Sequence, residues 1–170
     1  MNNLATVFLI LAVLGPVMPA LAQKNPQPKQ TAGQRLEKLL NEAEMPFTKR
    51  EENSYVTVIT MDENESERFE VFLTSLGNDP NNEKLQVIQM YFVVGRLTKG
   101  AAVPPALVKE MGKWNANLTL GKVVLIGEAI LYTSSSWLKH TDSELLATDA
   151  VMGHLTSKDL RKEVAPYLKQ

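Results

Sequence analysis

Two periods of apolar residues run along the chain, and the switches between them mark out its elements. From Thr31 the period is helical, with Leu36, Leu39, Leu40 and Ala43 on one face. Thr31-Ala32-Gly33-Gln34 matches a capping box, in which the threonine and glutamine side chains satisfy orphan backbone N–H groups. Met45-Pro46 predicts the end of this helix, because a residue before proline avoids the helical region.

The period then shortens to two. Residues 55–61 are rich in Val, Ile, Thr and Tyr, and residues 62–65 form a polar turn. Residues 68–73 place Phe69, Val71 and Leu73 on one side, so the stretch predicts an antiparallel hairpin. Residues 77–82 (Gly-Asn-Asp-Pro-Asn-Asn) read as a loop. Residues 85–94 are apolar on both sides, as in a central strand. Residues 95–102 lead to a second helix, opened by Pro104-Pro105 and buried along Leu107, Met111, Trp114 and Leu118. Residues 123–126 and 129–132 flank Gly127-Glu128 and predict a tight hairpin, with one bulged strand as the alternative.

The last third is helical. Thr141-Asp142-Ser143-Glu144 is a second capping box. Leu145, Met152 and Leu155 form one stripe, and Leu146, Ala150 and Gly153 form another. A helix apolar on two sides is deeply buried or meets a partner. Thr156-Ser157 is expected to restart a final helix carrying Leu160, Val164, Tyr167 and Leu168. The order predicts an α+β domain, a single antiparallel sheet of about five strands packed by N-terminal, middle and C-terminal helices.

The first residues have a different pattern. Residues 4–14 contain only Thr6 as a polar member, and Gly15 and Pro16 then break the run. Ala20 and Ala22 are the small residues a signal peptidase requires, with cleavage before Gln23. Met1-Asn2-Asn3 holds no Lys or Arg, so the positive region is the amino terminus alone. A run this short does not span a bilayer, which takes roughly 17–25 residues. Residues 1–22 are therefore expected to be a signal peptide, 23–30 a flexible leader and 31–170 a single domain, periplasmic or secreted. No stable membrane anchor is expected to remain after cleavage.

Composition narrows the chemistry. The 170 residues have a formal net charge of -1, which offers no general attraction to nucleic acid. The absence of cysteine excludes disulfides, thiolate nucleophiles, Cys-based zinc sites and a lipidated cysteine. His140 and His154 lie too far apart in sequence to share a metal from one helix turn, and are expected as a loop and a helix-surface histidine. Asp62, Asn64 and Ser66 open a calcium-loop pattern that fails at Glu67 and Leu73, leaving a solvated acidic turn. Ser134-Ser135-Ser136 lacks the elbow that exposes a nucleophile and reads as a polar strand end. The basic stretch from Gly95 through Arg96 and Lys99 to Gly100 lacks P-loop spacing. Trp114 is expected in the core and Trp137 at its edge. Asn64-Glu65-Ser66 and Asn117-Leu118-Thr119 match the glycosylation acceptor pattern. No catalytic, cofactor-binding or metal residue is expected, and no cofactor.

One resemblance covers most of the domain. Pro105-Ala106-Leu107-Val108 through Trp114-Asn115, Gly121-Lys122-Val123-Val124-Leu125-Ile126, Ala129-Ile130-Leu131-Tyr132 and Thr141-Asp142-Ser143-Glu144-Leu145-Leu146 resemble the YbjN-like family of bacterial sensory transduction regulators. The resemblance implies a fold like that of type III secretion chaperones, often dimeric, and a non-enzymatic binding, chaperone-like or regulatory role toward a protein or peptide. It carries over no functional residue. Secretion chaperones are cytosolic and usually acidic, whereas this chain is near neutral with an export signal. Two alternatives stand beside it: a periplasmic small-ligand or stress sensor, and a hydrolase with carboxylates in a sheet cleft. A buried acid, imidazole and hydroxyl converging on an enclosed cavity would mark the second.

Overall fold

The computed structural model describes residues 30–62, 65–77 and 83–168. The expected signal peptide with Ala20, Ala22 and Gln23, and the leader as far as Lys29, lie outside the described residues. So do Glu63, Asn64 and residues 78–82.

The protein is α+β, with three helices and one open six-stranded antiparallel sheet among the described residues. In chain order the elements are α1 (Ala32–Glu42), β1 (Phe47–Glu51), β2 (Ser54–Asp62), β3 (Glu65–Ser75), β4 (Gln86–Arg96), α2 (Pro105–Asn117), β5 (Lys122–Ile126), β6 (Ala129–Trp137) and α3 (Ser143–Val164). The strands lie in the order β1-β2-β3-β4-β6-β5, so β4 is internal, as its two-sided apolar pattern requires. The sixth strand is β1, which the sequence pattern missed. Its residues Thr48 to Glu51 are all exposed and mostly charged, so it has no alternation of its own. It exists because β2 supplies its ladder, and its charges suit a sheet edge.

Local chemistry explains most boundaries. Thr31 Oγ1 accepts from Gln34 N at 3.2 Å while Thr31 N donates to Gln34 Oε1 at 2.9 Å, completing the first capping box. α1 ends at Glu42, short of Met45, where Glu44 turns left-handed with φ 56°. Gly127, with φ 59°, provides the positive φ of the tight β5–β6 turn. The second capping box is shifted. Asp142 caps α3 by accepting from Leu145 N, while buried Thr141 donates to the Trp137 carbonyl.

The expected helix restart at Thr156-Ser157 does not occur. α3 runs unbroken for 22 residues. Ser157 Oγ donates back to the His154 carbonyl at 2.8 Å, so the hydroxyl is satisfied within the helix instead of ending it.

All three helices pack on one face of the sheet. α3 crosses β4 and β6, α1 lies beside α3, and α2 packs on β5. Leu146, Ala150, Gly153, Leu160 and Val164 of α3 meet Ile88, Met90 and Phe92 of β4 in a core that also holds Leu36 and Leu40 of α1. The other stripe of α3 stays outside, with Leu145, Met152 and Leu155 each 40–45% exposed.

One irregularity sets the stage for the site. β3 and β4 pair only from Glu70/Tyr91 to Ser75/Gln86. Past that point β3 runs back to Glu65 paired with β2 and β4 runs on to Arg96 paired with β6, but not with each other, so the sheet forks.

Candidate functional site

The fork is where the chain concentrates its buried charge. Alternation along β3 points Glu65 and Glu67 to the helix-covered side, together with Phe69 and Val71. On α3, His154, Ser157 and Arg161 face them at helical spacing. His154 Nδ1 lies 2.5 Å from Glu67 Oε2, and its Nε2 lies 2.8 Å from Glu65 Oε1. Arg161 Nη2 donates to Glu67 Oε1, and Arg161 Nε donates to the Val93 carbonyl at 3.0 Å. Lys158 Nζ donates to Glu65 Oε1, and Ser157 Oγ to Glu67 Oε2 at 3.3 Å. Lys158 first, and then His154, hold the Glu65 carboxyl below the usual carboxylate range.

Two sequence expectations are corrected here. His154 is not a surface histidine: it is buried, because the fork leaves room for α3 to send polar side chains between the strands. Residues 65–67 are not a solvated turn either. They are strand, and the Glu67 side chain is only 6% exposed. A buried carboxylate costs several kcal/mol unless paired, and here an imidazole, a guanidinium and a hydroxyl compensate it.

An acid, an imidazole and a hydroxyl thus do converge, but not in the order nucleophilic catalysis needs. A serine nucleophile must face a ring nitrogen. Both ring nitrogens of His154 are taken by carboxylates, and Ser157 Oγ points to Glu67 and to a carbonyl. Ser157 is also fully buried. The geometry is that of a clamp joining α3 to β3, and it closes the backbone deficit of the fork at Val93.

The other side of the fork is a surface. Val56, Val58, Arg68, Glu70, Tyr91, Val93 and Leu131 alternate away from the core, on the face no described helix covers. A groove of about 250 Å³ lies over the fork, lined by Tyr91, Val93, Leu131 and Ile126 with Arg68 and Arg96 among its walls. A second depression of about 310 Å³ shares Val56 and Arg68 with it and continues to Phe47 on β1. Val93 is 37% and Ile126 56% exposed. Glu70 pairs with Arg50 at 3.3 Å. Among the described residues, nothing in the chain engages the guanidinium of Arg68 or Arg96.

The remaining candidates fall away from both features. His140 is exposed in a 3-10 turn after β6. Ser134 to Ser136 lie within β6, not at its end, and Ser134 Oγ is enclosed without a partner. Ser136 Oγ points toward Asp149 without a well-formed hydrogen bond. Burial therefore pushes the Asp149 carboxyl up, with Ser136 offsetting only part of it. Trp114 packs against the core and Trp137 is 45% exposed, both as expected. Of the basic stretch, only Arg96 lines the groove.

The sheet also has a guarded edge. Asn115 of α2 donates through Nδ2 to the Val123 carbonyl at 2.9 Å and accepts from Val123 N at 2.6 Å, closing part of the outer edge of β5.

No family model and no curated protein matches the chain. Among solved structures it is similar to the type III secretion chaperone SycH of Yersinia pestis, crystallised in complex with a stable fragment of YscM2. That likeness covers 76% of this chain and 99% of that one, at 16% identity and a TM-score of 0.46. So distant a likeness carries no argument about activity or partner, and the fold assignment rests on the sheet and helices themselves.

Proposed function

We propose that this chain is an exported, non-catalytic module that binds a protein or peptide partner on the open face of its sheet. The observation that carries the reading is the trough over the fork, apolar along Tyr91, Val93, Leu131 and Ile126 and left uncovered by the three helices. Exposed apolar surface gathered into one concavity marks binding sites on folded proteins. The fork clamp supports the non-catalytic part, since its imidazole has no nitrogen facing a hydroxyl. Export rests on residues 1–22 with Ala20 and Ala22, and the resemblance to YbjN-like regulators points to the same chaperone-like or regulatory role.

Site-specific photo-crosslinking in cells tests this. A benzophenone side chain at Val93 or Ile126 is expected to yield a discrete protein adduct. The same group at Lys38, exposed on the helical side, is expected to yield none. Absence of any adduct from the open face sinks the reading. The mass of the protein from the extracytoplasmic fraction checks export, with an N-terminus at Gln23 as the expected result.

A homodimer is the second reading, favoured by the exposed stripe Leu145, Met152 and Leu155 on the outer side of α3. Light scattering behind size exclusion is expected to give twice the chain mass, falling to one chain mass on Met152→Asp.

A further inference from the structure

The trough has a charge signature as well as an apolar floor. Arg68 sits where the two depressions meet, and Arg96 lines the same groove at the end of β4. Both are exposed, and neither is engaged within the described chain, although Arg50 on the same face has its carboxylate partner in Glu70. The buried carboxylate of Glu67 on the other side of the fork is fully paired, so two unengaged guanidinium groups beside apolar surface leave a recognition capacity unused. Arginine is suited to it, presenting a planar fork of donors that matches a carboxylate.

We infer that the open-face trough takes an acidic amphipathic segment of a partner protein, with its apolar residues on Val93, Leu131 and Ile126 and two carboxylates on Arg68 and Arg96. The inference rests on the partner-binding reading above and adds the chemistry of the partner. Extending the β3–β4 register places Arg68 level with Val93, three residues from Arg96. Three residues along the strand direction separate the two arginine levels by about 10 Å, and the parting of β3 from β4 sets them more than one paired-strand spacing apart across it. Two carboxylates seven residues apart on a helix are separated by about 10.5 Å, which matches the separation along the strand direction while leaving an apolar stripe between them.

Fluorescence anisotropy with the purified full chain tests the charge pairing. The probes are 18-residue amphipathic peptides sharing one apolar stripe and carrying Glu, Gln or Lys at two positions seven apart. The Glu peptide is expected to bind at least tenfold more tightly than the Lys peptide, with the difference shrinking as salt rises. In Arg68→Glu/Arg96→Glu the order is expected to invert. Both side chains are exposed, so far-UV circular dichroism of this variant is expected to match the wild type. Val93→Asp is expected to weaken all three peptides.

Equal binding of the Glu and Lys peptides, or no binding of either at 1 mM, overturns the inference. So does saturable binding of dodecanoate at the trough with no binding of the Glu peptide, which would make the occupant a fatty acid. A crosslinked protein at Val93 combined with any of these results keeps the partner-binding surface and removes only the acidic chemistry.

Discussion

Replacing Gly153 with alanine sets helix propensity against packing, and the fork side of the core decides the sign. Inside a helix, alanine is favoured over glycine by about 1 kcal/mol. At Gly153 the added methyl would fall inside van der Waals contact of Phe92 Cε2 and Cζ and 3.1 Å from Cδ2. Phe92 cannot swing clear. It is fully buried, stacked on Phe69 with centroids 4.6 Å apart and within 6.2 Å of Tyr132. Overpacking a filled core costs typically about 1–3 kcal/mol, and contacts with two ring atoms this close place the site at the upper end. The net expectation is a loss of about 2 kcal/mol, or roughly 6 °C in Tm for a domain of this size. Urea unfolding followed by circular dichroism reads it as a lower midpoint at unchanged slope. Combining Gly153→Ala with Phe92→Leu, which trims the ring, is expected to show a favourable coupling of at least 1 kcal/mol. A Gly153→Ala protein as stable as the wild type, or more so, refutes the close approach of α3 to β4.

Other perturbations probe the clamp, the guarded edge and the half-buried acid. Glu67→Ala leaves His154 and Arg161 without their shared acceptor and is expected to cost about 3 kcal/mol by urea titration, the low end for a broken buried pair because Arg161 reaches solvent. Asn115→Ala removes both bonds to Val123. It is expected to cost about 1–2 kcal/mol and to speed hydrogen exchange at the Val123 amide more than at Leu131 across the ladder. Asp149 has its carboxyl raised by burial, so its favourable contribution is complete below the ordinary value near 3.8 and is lost as pH climbs through the higher folded value. Asp149→Asn is therefore expected to raise the thermal midpoint at neutral pH, with the gain disappearing toward pH 3. An equal gain at both pH values removes desolvation as the cause.

Much of the architecture was legible in the chain because it follows from local rules. The capping box at Thr31, the proline start of α2, the Gly127 turn and the period-two runs of β2, β3 and β4 each declare themselves within a few residues. What tertiary structure alone decided shares one cause, that the partner lies far away in sequence. β1 has no pattern of its own and exists through β2. Ser157 reads as a helix start until its hydroxyl turns back within α3. His154 and Glu67 are 87 residues apart, and either alone reads as a surface group. The burial of both follows from the parting of β3 and β4, which no single segment encodes. Arg68 could have been placed on the open face from its alternation with Phe69, but that no described residue engages it is visible only once the described carboxylates have positions. Sequence determines which side of each element is apolar; the packed sheet determines which polar groups are left to one another, because pairing is a property of distance in space.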